Sequence, residues 1–179
     1  MLDMDNTVLL IVDIQGELAR TVCDAHLIYT NWRKLINAAK LFRLPIILLE
    51  QYPSGLGKTI PEVREILGDL EAIEKISFNA CLNDQFLQKV QETGRKQVLV
   101  AGIEAHVCVY QTVNGLLDHH YQIYIASDAV SSRTSWNRQI ALERMRELGA
   151  VITTTEMALF ELMRVAEGQL FRQFIKIVK

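Results

Sequence analysis

Three residues of this 179-residue chain have the chemistry to attack a carbonyl group: an acid, Asp13, an ammonium, Lys75, and a thiol, Cys108. They are far apart in sequence, yet each ends or follows a short apolar run. "TVLLIVD" ends at Asp13, "AIEKIS" carries Lys75, and "QVLVAG" leads through "GIEAHVC" to Cys108. In an open α/β sheet the carboxyl ends of the strands share one rim, and ligands bind outside it. Three strand ends therefore gather an acid, a cation and a thiol. A thiolate is the nucleophilic form of cysteine, and a nearby ammonium or a helix N-terminus favours it. Taken singly, each residue has a plainer reading. An Asp after a strand is often a turn residue, a lone Lys is usually at the surface, and a lone Cys is usually a buried small hydrophobe. That plainer reading is kept for Cys23 and Cys81.

The elements that position these residues follow from the pattern of the chain. Apolar runs at Thr7–Asp13, Leu44–Glu50, Gln97–Gly102, Tyr121–Asp128 and Ala150–Thr154 have strand length, and a shorter, weaker one lies at Ala72–Ser77. Strands that are apolar on both faces belong to a parallel sheet covered by helices. Longer segments of helical period alternate with them. In "HLIYTNWRKLINAAKLFR", Leu27, Leu35 and Ala38–Ala39 are spaced for one buried face. "NDQFLQKVQETG" has Asn83 as N-cap and Gly94 as a stop, Gly149 closes "RTSWNRQIALERMRELG", and Thr153 with Glu156 forms a capping box. The alternation predicts an α/β fold: a six-stranded parallel sheet with helices on both faces, in one domain over 1–179.

Composition narrows the function. Half of the residues are hydrophobic, 22% are charged and the formal net charge is −2. No cluster of Lys and Arg is present to displace counterions, so no nucleic acid partner is expected. No apolar run approaches a membrane span, and the first residues carry acids where a signal peptide carries positive charge. Three cysteines at wide spacing argue against a disulfide framework and for a reducing compartment, the cytoplasm.

"LLIVDIQGELA", "EKISFNAC" and "AGIEAHVCVYQT" together resemble the isochorismatase-like, or cysteine-hydrolase, superfamily. "EQYPSGLGKTIPE" and "SDAVSSR" bring the chain closest to the isochorismatase domain-containing subgroup. The resemblance covers nearly the whole chain and implies a Rossmann-like three-layer fold with Asp13, Lys75 and Cys108 as a catalytic triad. It implies a cis peptide between Ile103 and Glu104, with backbone N–H groups near Glu104 and Cys108 aimed at an oxyanion. Gln15, Gln51, Tyr52, Phe78, Glu104 and His106 lie near the same rim and are the candidates for a substrate pocket; packing is an equal reading of Tyr52 and Phe78, and Gln51 and Tyr52 stand where the family often builds pockets or subunit contacts. Nicotinamidases of the superfamily bind a metal through histidines after the second strand. Here that region reads "LLEQYPSGLGKT" and holds no histidine, so neither a metal nor another cofactor is expected. Cys23 and His26 lack the further ligands a zinc site needs.

The expected activity is hydrolysis of a small-molecule C–N bond, metal-independent and by way of a Cys thioester. Vinyl-ether hydrolysis of the isochorismatase type fits less well, because it does not need the thiol. Two other readings stand beside it: a binding or scaffold protein that retains the triad, and a redox-reactive Cys108. Assembly into a homo-oligomer is expected, with Trp32, Tyr52 and the apolar tail as contact candidates.

Overall fold

The computed structural model describes residues Met1–Lys179. Six strands, β1 (Thr7–Val12), β2 (Ile46–Gln51), β3 (Ala72–Lys75), β4 (Gln97–Ile103), β5 (Gln122–Ser131) and β6 (Val151–Thr153), form one parallel sheet. Their order is β3-β2-β1-β4-β5-β6. The chain first winds outward from β1 to β3, then returns to the other side of β1 with β4. The gap between β1 and β4 is thus the topological switch point, where the connections leave in opposite directions and open a crevice.

Nine helices cover the sheet: α1 (Leu18–Thr21), α2 (Ala25–Leu41), α3 (Pro53–Leu56), α4 (Pro61–Leu67), α5 (Asp84–Glu92), α6 (Tyr110–Asp118), α7 (Ser135–Glu147), α8 (Thr155–Met163) and α9 (Gly168–Val178). The period of two along each strand divides the core into two layers. Leu9 and Ile11 of β1 join Trp32, Leu35 and Ile36 of α2, Leu159 of α8 and Phe174 of α9. Val8, Leu10 and Val12 join Phe86 of α5, Val113 and Leu116 of α6 and Met145 of α7. Every residue of β1 and of β4 is buried, because both of their faces are covered. No helix is long and apolar enough to cross a membrane.

Local signals act where their chemistry allows. The Asn83 side chain accepts from Phe86 N–H and starts α5. The N-cap of α8 is Thr154, accepting from Met157 N–H, rather than Thr153. Leu27 is 56% exposed instead of facing the core; the buried face of α2 runs through Ile28, Trp32, Leu35 and Ala39. Trp32 is fully buried and its Nε1 donates to Ala129 O at 2.8 Å, so it is a core residue and not a contact for another subunit.

One glycine sets how closely β4 can lie along β1 beside the crevice. Gly102 has φ +128° and sits opposite Val12 in register. A Cβ built on it would come within 2.1 Å of Val12 O and 2.7 Å of Val12 N. Both atoms are backbone, so nothing short of moving the strands relieves the clash. Gly102→Ala is expected to lose roughly 2–5 kcal/mol of stability in urea unfolding, from strained φ plus overpacking.

Candidate active site

Asp13 is the first residue beyond β1. Its N–H donates to Leu49 O at 3.2 Å, and its φ of +51° ends the strand in the left-handed region that Asp tolerates. Lys75 is the last residue of β3 and lies in register with Gln51 of β2. Its Nζ donates to Asp13 Oδ2 and to Gln51 Oε1, each at 2.7 Å. The side chains of this pair are 0% and 3% exposed. Gln51 is oriented by its Nε2 donating to Ile76 O at 2.5 Å, which turns its carbonyl oxygen toward the ammonium.

Cys108 arrives from the other side of the switch point. The Ile103–Glu104 peptide is cis. Residues Ala105–Val109 then form one wide π-type turn leading into α6. The Glu104 carbonyl accepts from the N–H groups of both Val107 and Val109. Such insertions in a helix are frequent at functional sites. Cys108 is buried and faces the Asp13 carboxylate closely enough for each to shift the other's protonation. No N–H or O–H group hydrogen-bonds Asp13 Oδ1, the carboxylate oxygen that Lys75 does not take.

Electrostatics determine the resting state of the thiol. Burial pushes Cys108 up to about 12, and the negative charge of Asp13 pushes the same way; Lys75 pulls it down by less. Asp13 is raised as well, first by burial, with the charge and hydrogen bond of Lys75 opposing. These causes oppose the expectation of a thiolate stabilised at a helix start. Loss of water around the sulfur and a carboxylate beside it outweigh the ammonium, and together they favour the protonated thiol. Cys81 is raised to about 12 too, chiefly by burial, but it has no acid–lysine pair beside it.

Asp13 and Cys108 line a cavity of about 240 Å³ at the switch point. Gln51 and Glu104 complete its polar wall, and Leu18, Leu56, Phe78, Ile103 and Val107 its apolar wall. Three residues expected at the pocket lie off it. Gln15 is fully buried and used as a clamp: its amide donates to Gln51 O and Gly57 O and accepts from Gln51 N–H, joining the ends of β1 and β2 to the following loop. His106 is turned to Ser132 Oγ at 2.9 Å through Nδ1. Tyr52 is half exposed and borders a neighbouring depression with Lys75 and Ile76. Leu18, Leu56 and Val107 were not expected; they carry no polar group to mark them, although Leu56 sits in the irregular Pro/Gly loop. A larger cleft of about 600 Å³ beside Glu50, Lys58 and Arg64 contains no thiol, and Thr59 occupies Glu50 Oε1 through both N–H and hydroxyl.

Comparison with known proteins gives a consistent result. The isochorismatase domain model matches residues 7–157. The secreted isochorismatase effector Isc1 of Phytophthora sojae is 36% identical, over 97% of this chain and 85% of its own length. The MAR1 ribonuclease structure from Caenorhabditis elegans superposes with a TM-score of 0.92 at 32% identity, covering 99% of this chain and 91% of that one. The YcaC gene product of Escherichia coli, described as an octameric hydrolase of unknown specificity, superposes at 0.89 with 29% identity, covering 99% and 86%.

Two outcomes follow from the geometry. Removing the Asp13 charge leaves Lys75 unopposed beside the sulfur, so Asp13→Asn lowers the apparent pKa of Cys108, read as alkylation rate against pH. In the unaltered protein that rate keeps climbing well above the ordinary thiol value of about 8.5. Lys75→Met strands a buried carboxylate and costs about 3–5 kcal/mol. Because the folded-state pKa of Asp13 is raised, protonation relieves this cost as pH falls, so the deficit in urea unfolding is smaller at pH 5 than at pH 8.

Proposed function

The chain belongs to the isochorismatase family of hydrolases, within the cysteine-hydrolase superfamily, and from that premise we propose that it cleaves the C–N bond of a small amide through a thioester on Cys108. The observation that carries this reading is the Asp13 carboxylate. One oxygen is held by Lys75, the other is buried without a hydrogen-bond partner, and Asp13 and Cys108 border the same cavity.

Cys108 sulfur bonds to the carbonyl carbon while its proton passes to Asp13, so that no free thiolate has to accumulate. Backbone N–H groups of the Glu104–Cys108 turn stabilise the oxyanion. Asp13 then protonates the nitrogen, the C–N bond breaks and the amine leaves. Water attacks the thioester as Asp13 takes one of its protons. The acid departs, and the proton returns to sulfur. One amide and one water become one acid and one amine. Lys75 never leaves the pair; it orients Asp13 and offsets its charge when the carboxylate is ionised.

The coupling of thiol and acid favours this reaction over vinyl-ether hydrolysis, which has no use for the sulfur. The size of the cavity favours a small molecule over RNA, and no basic residue lines it. All three cysteines are free, which suits the proposed location in a reducing compartment, the cytoplasm. We propose further that the chain assembles with itself. The octameric relative supports this, as do Tyr52, Leu56, Ile76, Phe78 and Leu82, large apolar side chains exposed along the loops at the site.

Cys108→Ala is expected to abolish ammonia release from a hydrolysed amide, and Asp13→Asn to lower kcat by about 10²–10⁴. Intact mass spectrometry of the quenched reaction should show the acyl group on the unaltered protein and none on Cys108→Ala. Undiminished hydrolysis by Cys108→Ala would refute the mechanism. Light scattering on the purified protein should give a mass several times 20.4 kDa, and a monomer would end the assembly proposal.

A further inference from the structure

Successive residues of a strand face opposite sides of the sheet, and at the end of β2 this separates two sites. Gln51 turns to Lys75 and the ion pair with Asp13. Glu50, one residue earlier, faces the other side, in register with Glu74 of β3. There a cleft of about 600 Å³ opens between α4 and the edge of the sheet. Its charged lining is Glu50, Glu65, Glu71, Glu74, Lys58 and Arg64. No ion pair joins any two of these six residues. Three of the acids are exposed, but Glu50 is only 5% exposed. Its Oε1 accepts from Thr59 N–H at 2.8 Å and from the Thr59 hydroxyl at 2.6 Å. These two bonds fix the carboxylate and leave Oε2 without a protein donor. Oε2 is not sealed in the core: the one buried side-chain oxygen or nitrogen without a partner is Asp13 Oδ1. A carboxylate buried this deeply is ordinarily paired, so an oriented, donor-free oxygen facing a cleft points to a cationic ligand. No three of the acids converge closely enough to hold a metal ion, so the cation that fits is organic.

We propose that this cleft is a second ligand site, separate from the Cys108 cavity, and that it takes a free amino acid with a cationic side chain. The α-ammonium donates to Glu50 Oε2, with Glu74 beside it. The ligand's carboxylate meets Lys58 and Arg64; Arg64 is anchored by donating through Nη1 to Leu70 O. The second cation falls to Glu65 and Glu71. Charge decides the class of ligand. Four carboxylates against two cations leave two negative charges in excess. A ligand with two cations and one anion halves that excess and gives every charged group a partner. A simple anion would add to it, and a diamine would leave Lys58 and Arg64 unmet. The volume equals roughly twenty waters at about 30 Å³ each, room for an amino acid and part of its hydration. The site stands whether or not Cys108 is a nucleophile.

The test is calorimetric titration of the full chain with L-lysine. The expected dissociation constant is below about 1 mM. Cadaverine, which is lysine without its carboxylate, and Nα-acetyl-lysine, which lacks the α-ammonium, should each bind about tenfold more weakly or worse, the loss of one charge-assisted contact. Glu50→Gln keeps an oxygen for Thr59 and removes the charge, and it should weaken lysine by about tenfold or more. Lys58→Gln, at an exposed side chain, should weaken lysine and leave cadaverine unchanged. Cys108→Ala should bind lysine as the unaltered protein does. No binding of lysine at about 10 mM would overturn the proposal. So would cadaverine binding as tightly as lysine, which would mean an acidic surface and no more. Loss of lysine binding in Cys108→Ala would place the ligand in the other cavity and overturn it too. Should Glu50→Gln fail to fold, unchanged lysine affinity in Lys58→Gln is enough to refute the site.

Discussion

Lysine and aspartate meet here from two strands that are not neighbours. β3 carries Lys75 at the edge of the sheet, β1 is followed by Asp13 at its centre, and β2 lies between. A 2.7 Å contact at nearly zero exposure requires all three strand ends to keep their register, and each piece of the surrounding loop serves that requirement. Gln51, in register with Lys75, supplies a second acceptor for the ammonium. Gln15 bonds to both the N–H and the carbonyl of Gln51 and so ties the end of β2 to the residue two beyond Asp13. Removing two charges from water costs several kcal/mol per ion, and only such dense hydrogen bonding offsets it. The pair stabilises the fold weakly at best; its effect is to specify where the acid stands.

In the proposed reaction, that placement decides what kind of nucleophile Cys108 would be. Many reactive cysteines are lowered in pKa and rest as thiolates. Here burial and the facing carboxylate raise the thiol to about 12, so the sulfur is quiet in the empty site. The proton has one nearby destination, the Asp13 oxygen that Lys75 leaves free. In the proposed reaction, activation is therefore confined to the moment an electrophilic carbon sits against the sulfur. A hydrolase built this way gives up thiolate population and gains resistance to stray alkylation and oxidation, because the protonated form is the unreactive one.

Much of the scaffold was legible in the residues. Continuous apolar runs mean strands covered on both faces, and the residues just beyond them must share a rim; that alone puts Asp13, Lys75 and Cys108 on one side of the sheet. The family resemblance adds their roles. What was not legible depends on side-chain direction. Gln15 reads as a pocket amide from its position after Asp13, but a buried amide next to an unpaired strand end is drawn into backbone bonding. Tyr52 follows Gln51 directly, yet its φ of +38° ends the strand and carries the ring into the next depression. Leu27 belongs to the same helix as Ile28 and has the same hydrophobicity, and the helical turn buries only Ile28. The sign of the Cys108 shift was out of reach for another reason: it is a contest between burial, an anion and a cation, and their ranking needs the geometry.

The claim at the centre of this account is that the free protein holds Cys108 as a neutral thiol beside the Asp13 carboxylate. Infrared difference spectroscopy of the unaltered protein minus Cys108→Ala, at pH 8, reads that proton directly through the S–H stretching band. The account predicts a band present in the unaltered protein and absent from Cys108→Ala. A difference spectrum with no S–H band at pH 8 would mean a resting thiolate, and would contradict the roles assigned here to burial, Asp13 and Lys75.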